Sequence, residues 1–139
     1  MKIILSSNSP RRKELLAGLG VDFEVRVLKG VDERYPDDIP LNEVPLYIAI
    51  EKASAHTVAK DELVVTADTV VIVDNEILGK PKDRAEAYGM LRKISGKTHQ
   101  VVTGVCLTTI DDQRSFTVTT DVEFKELSDN EIYYYIDKY

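Results

Sequence analysis

Apolar residues fall along this chain in short runs and helical spacings, broken by turn-forming residues, with no repeat and no low-complexity linker. Lys2 to Leu5 is a short apolar run and reads as a first strand. Ser9-Pro10 has the form of an N-cap followed by proline at the first helical position. It predicts a helix from Arg11 to Leu19, with Leu15, Leu16 and Leu19 inward and Gly20 as its stop. Val21 to Val27 alternates and predicts a half-buried strand. Lys29 to Pro40 is rich in Asp, Glu and Pro and reads as loop. A second helix is expected from about Val44 to Lys60, its apolar face carrying Leu46, Ala49, Ile50, Ala53 and Thr57.

Leu63 to Ala67 and Val70 to Val73 are strand segments, and Asp74-Asn75 reads as a hairpin turn into Glu76 to Leu78. Asp83 with Glu86 forms a capping box for a third helix, which would bury Ala87, Met90, Leu91 and Ile94 and end at Gly96. Val101 to Thr109 and Ser115 to Phe124 look like an antiparallel pair, with Phe116, Val118, Thr120, Val122 and Phe124 on one face. Ser128 with Glu131 opens a last helix through Ile132, Tyr135 and Ile136. The pattern is α/β, with a mixed, largely antiparallel sheet flanked by helices.

Composition narrows the function classes. The 139 residues are one domain's worth of chain, with ordinary apolar and charged content. No apolar run reaches the ~18 residues that would span a bilayer. The net charge of -6 argues against a polymer nucleic-acid binder but not against a small phosphorylated substrate. The lone Cys106 suits a reducing cytoplasm. With only His56 and His99 beside it, a zinc site is disfavoured, so any metal would be a hard ion held by carboxylates, Mg²⁺ or Mn²⁺.

Four places carry chemistry. Arg11, Arg12 and Lys13 load cations onto a helix N-terminus, where the dipole disfavours them; a bound anion would reverse the sign, whereas the plain alternative is solvated side chains. Asp68 interrupts an apolar strand run, as a metal ligand or proton acceptor, or as a bend that satisfies backbone groups. Gly79-Lys80-Pro81 is a tight loop able to hold Lys80 against a phosphate. The acidic loop with Asp32 and Glu33 is a second source of metal-binding oxygens. Lys52, at the flank of the second helix, snorkels by default. Cations in separate segments with two acidic positions suit phosphoryl chemistry, and neither a P-loop nor a Gly-x-Gly-x-x-Gly turn is present.

At these residues the sequence resembles the Maf family of nucleotide pyrophosphatases. The matching pieces are Ser7 to Leu16, Glu51-Lys52-Ala53, Ala67 to Val71, Gly79-Lys80-Pro81 and Ser95 to His99, in family order. The resemblance implies a two-lobed fold like that of inosine-triphosphate pyrophosphatases, with a site in a cleft between the lobes. It implies metal-dependent hydrolysis of nucleoside triphosphates between the α and β phosphates. Asp68 would be the proton acceptor and a metal ligand with Glu33; Arg11 and Thr69 match positions tied to substrate choice; Ser7, Arg12, Lys52 and Lys80 would line the site. Arg-Arg after Ser-Pro, and Thr after that Asp, resemble the branch acting on dTTP and UTP. Family chains continue beyond the point matched by Tyr139 with a segment that carries a further specificity glutamine. The expectation is therefore one Maf-like domain over residues 1–139 lacking its C-terminal part, or a site completed by a second copy in a homodimer. The rival expectations are a nucleotide-binding module without turnover, linked to septum-formation control, and a purely structural domain.

Overall fold

The computed structural model describes residues 1–28, 34–79 and 81–138. In chain order the elements are β1 (Lys2–Leu5), α1 (Pro10–Gly18), β2 (Phe23–Val25), a 3-10 turn at Leu41–Glu43, α2 (Val44–Ser54), β3 (Glu62–Val73), β4 (Glu76–Leu78), α3 (Arg84–Ile94), β5 (Thr98–Thr108), β6 (Gln113–Glu123) and α4 (Asp129–Lys138). The strands form a mixed sheet in the order β2-β1-β3-β5-β6, with β4 paired to β3. β1 runs parallel to both neighbours, Ile4 standing beside Glu24 of β2 and Val64 of β3. β4 returns antiparallel through Asp74 and Asn75, whose φ of 52° and 61° supply the left-handed pair that a two-residue hairpin turn needs. β5 and β6 are joined by residues 109–112, a connection too short for a parallel crossover.

Two compact units make up the chain: Met1–Thr69 with Thr103–Val118, and Val70–Val102 with Thr119–Tyr139. In the first, Ile4, Leu5 and Val64 of the sheet and Val44, Ile48, Ala49 and Ala53 of α2 are buried. Cys106 of β5 packs with Ala49 and Ala53. Thr66, wholly buried, donates its hydroxyl to the Ala49 carbonyl at 2.7 Å, so that polar side chain is satisfied in an apolar layer. Gly104 lies against the start of α2 so tightly that a Cβ would stand 2.3 Å from the Leu46 nitrogen.

Three expectations are corrected in this unit. α1 begins and caps as foreseen, but Leu15 and Leu19 are 63% and 74% exposed, and the helix buries no residue. Helical spacing identifies an apolar face without saying that anything covers it. The second strand shrinks to Phe23–Val25, with Val25 and Val27 largely exposed. α2 stops at Ser54 rather than near Lys60. There the Ser54 hydroxyl donates back to the Ile50 carbonyl, tight bonds from Ala55 and His56 close the last turn, and His56 bonds Ser6 at 2.7 Å. Thr57 is consequently exposed rather than on a buried face.

In the second unit Asp83 caps α3 as foreseen, and the Ser128–Glu131 box closes in both directions. Asp83 accepts from the Glu86 amide at 2.8 Å, and Ser128 and Glu131 exchange bonds of 3.2 Å in each direction. Tyr88 of α3 stacks on Tyr133 of α4, and Arg84 lies 4.5 Å over the Tyr133 ring while paired with Asp137. β6 is an edge strand, exposed at every position except Val122, so its shared apolar face is not buried.

His99 is buried in the second unit, edge-on to Phe124 at 5.1 Å, and its Nδ1 finds no partner among the described residues. Burial pushes its pKa below the ordinary value, and burial with the nearby Arg26 does the same for His56 against the weaker opposing pull of Glu62. The unfolded chain then takes up protons that the folded chain refuses. Stability is full above the ordinary histidine value of ~6.5 and falls as the pH drops through and below it. Melting temperatures recorded between about pH 7.5 and pH 5 should show this fall. His99→Phe should make the fall shallower, His56 supplying what remains; an equally steep fall in that variant would mean that His99 does not titrate as its burial requires.

Candidate functional site

The turn from β1 into α1 is built from serine hydroxyls. Ser9 is the N-cap, accepting from the Arg12 amide at 3.4 Å, and Pro10 fills the first helical position, where no amide is needed. The buried Ser7 accepts from the Ser9 amide at 3.1 Å and from Arg12 Nη1 at 3.3 Å. Arg12 is thereby turned back over the strand ends rather than out into water.

β3 runs unbroken from Glu62 to Val73, so Asp68 sits within a strand and the bend alternative falls. Around it the predicted side chains meet. Arg12 donates through Nη1 to the Ala67 carbonyl at 3.3 Å and through Nη2 to the Thr69 hydroxyl at 3.0 Å. Lys52, reaching over from α2, donates to the same carbonyl at 3.2 Å and to Asp68 Oδ1 at 3.4 Å. The Lys52 and Asp68 side chains are only 20% and 19% exposed, so the default snorkelling of Lys52 is replaced by a directed contact. Ser7, Arg12, Lys52, Asp68 and Thr69 thus form one cluster within the first unit. Arg11 lies on the same turn of α1 but is exposed, without a side-chain bond among the described residues. Glu33, Asp32 and Lys80 lie outside the described residues.

The electrostatics of this cluster are directional. Two cations converge on one backbone carbonyl at the positive end of a helix. Their mutual repulsion is offset by Asp68 beside Lys52, and a bound polyanion would turn it into attraction. Among the described residues no group of three His, Cys, Asp or Glu could cage a metal ion. A single, mostly buried carboxylate does suit a hard ion that takes its other oxygens from a phosphorylated ligand and water.

Sequence reasoning missed Thr103, whose hydroxyl lies 3.0 Å from that of Thr69. Its one signal is the glycine after it inside a strand, a mark of close backbone approach. A groove of about 660 Å³ between α3 and α4, walled by Ala87, Met90, Leu91 and Ile136, holds none of the predicted residues. It belongs to the second unit, and its volume does not mark the chemistry.

Comparison with known proteins gives the family and the fold. The family described as Maf-like protein matches residues 2–139. The dTTP/UTP pyrophosphatase of Phocaeicola vulgatus is 59% identical over 99% of this chain and 72% of its own length. That of Bacteroides thetaiotaomicron is 58% identical with the same coverage, and that of Flavobacterium psychrophilum 46% identical over 99% of this chain and 71% of its own. Among solved structures, the Ham1 protein of Staphylococcus aureus superposes with a TM-score of 0.53 at 15% identity, covering 88% of this chain and 71% of that one. The HAM1 protein of Coxiella burnetii gives 0.52 at 15% identity, with 88% and 72% covered. These two speak for the fold alone, and they bear out the expected architecture.

Proposed function

The chain belongs to the Maf family, and on that premise we propose that it is a nucleoside triphosphate pyrophosphatase, hydrolysing dTTP and UTP to the monophosphate and pyrophosphate. The relatives that support this reading carry that name at 46–59% identity over nearly the whole chain. Within the fold, the observation that carries it is the convergence of Arg12 and Lys52 on the Ala67 carbonyl beside Asp68.

In this reading Arg12 and Lys52 take triphosphate oxygens, with Ser7 and Thr69 orienting the Arg12 fork. Lys80 would add a point charge, and Arg11 contacts the nucleotide from the exposed side of the first turn of α1. Asp68 accepts a proton from a water molecule as the water oxygen bonds to the α phosphorus. The bond from that phosphorus to the α–β bridging oxygen breaks, and pyrophosphate leaves. Asp68 and Glu33 would hold a divalent ion, Mg²⁺ or Mn²⁺, which supplies neutralisation of the phosphate charge when bound. Positioning and charge neutralisation carry most of such catalysis. The reading places residues 1–139 within a single Maf domain acting on the free nucleotide pool of the cytoplasm. Its support is a lone, buried, unpaired cysteine.

Hydrolysis of UTP in ¹⁸O-water tests the reaction. The label should appear in UMP; label in the pyrophosphate instead would move the attack to the β phosphorus and overturn the reading. A second outcome concerns Arg12, whose fork bridges the Ala67 carbonyl and Thr69. Arg12→Lys keeps the charge but cannot span both, and the KM for UTP should rise roughly tenfold, the loss of one charge-assisted hydrogen bond. Steady-state kinetics on the folded variant would check this.

A further inference from the structure

The hydroxyl oxygen of Thr69 lies 3.0 Å from Arg12 Nη2 and 3.0 Å from the hydroxyl oxygen of Thr103. A guanidinium only donates, so one lone pair of Thr69 is taken by Arg12. A hydroxyl has two lone pairs and one proton. When Thr103 donates as well, both lone pairs are filled, and the Thr69 proton must go to a third group. Thr69 is exposed, follows Asp68 directly, and stands beside the guanidinium. We infer that Thr103 is a positioning residue that sets Thr69 as a hydrogen-bond donor to an oxygen of the bound nucleotide.

Without nucleotide the pair reverses: Thr69 donates to Thr103, and both hydroxyls stay satisfied at little cost. With an acceptor oxygen present, one rotation of each hydroxyl turns Thr69 outward. The arrangement needs β5 held still, and the adjoining Gly104 does this. It packs on the first turn of α2, where an added Cβ would stand 2.3 Å from the Leu46 nitrogen and 2.6 Å from the Pro45 carbonyl carbon. The inference assigns Thr103 no contact with substrate, and it rests on the reading that Arg12 and Asp68 face a nucleotide.

A double-mutant cycle tests it: wild type, Thr69→Val, Thr103→Val and the double variant, with Thr103→Ser as the conservative control. Affinity for the non-hydrolysable α,β-imido-dUTP is measured by calorimetry, and kcat and KM with UTP. Thr103→Val should weaken the analogue and raise KM by about tenfold, with kcat within about twofold. Thr103→Ser should restore both, and the double variant should be no weaker than Thr69→Val alone. Losses that multiply in the double variant, or a Thr103→Val enzyme with wild-type affinity and KM, would overturn the role. Equal melting temperatures across the series identify any loss as local. A wild type that binds the analogue but releases no pyrophosphate from UTP would sink the pyrophosphatase reading while the affinity cycle still decides the role of Thr103.

Discussion

Asp68→Asn should lower kcat with UTP by about 10³-fold, the span expected for removing a general base, while the melting temperature moves by only a few degrees. The asparagine has the same outline within β3, and its amide oxygen can still accept from Lys52 Nζ, which stands 3.4 Å from Asp68 Oδ1 in the native cluster. The strand pairing is made by backbone groups and is untouched. What disappears is the capacity to take a proton from water and the negative charge that would draw a divalent ion. A loss of less than about tenfold would mean that another group accepts the proton and that Asp68 serves mainly to hold Lys52.

Gly104→Ala should have the largest effect on stability, about 3 kcal/mol or failure to fold. The added methyl would meet the backbone of Leu46 and Pro45 at 2.3 to 2.6 Å, and neither can swing aside as a side chain would. Either β5 or the start of α2 must move, and both frame the buried cluster of Ala49, Ala53 and Cys106. Gly89 is the internal contrast: it lies exposed within α3, where a Cβ meets nothing within 4 Å, and Gly89→Ala should be neutral or stabilising by up to ~1 kcal/mol. Urea unfolding midpoints of the two variants beside wild type would check the contrast. Similar midpoints for both would show that the close packing at Gly104 is relieved at no cost.

Features decided within a few residues were legible in the sequence. The Ser9 and Asp83 caps, the reciprocal box of Ser128 and Glu131, and the Asp74-Asn75 turn all depend on local hydrogen bonds or local φ, which residue type dictates. Features decided by what packs against a segment were not. Leu15 and Leu19 keep helical spacing yet stay exposed, and α2 ends where Ser54 and His56 find nearer partners than the next turn. Asp68 looked like a possible break because a charged residue disfavours a buried strand; Lys52, sixteen positions away, makes it tolerable. The site followed the same division. Ser7, Arg12, Lys52, Asp68 and Thr69 were found because residue type and family resemblance marked them. Thr103 went unseen because its meaning lies in a register between distant strands.

The most direct test of the account is pyrophosphate release from dTTP and UTP, beside CTP and 7-methyl-GTP, with Mg²⁺ or Mn²⁺ and with a chelator. The account predicts metal-dependent release, fastest with dTTP and UTP, in amounts equal to the monophosphate formed. Nucleotide binding without pyrophosphate release from any of the four would contradict it and leave a binding module in its place.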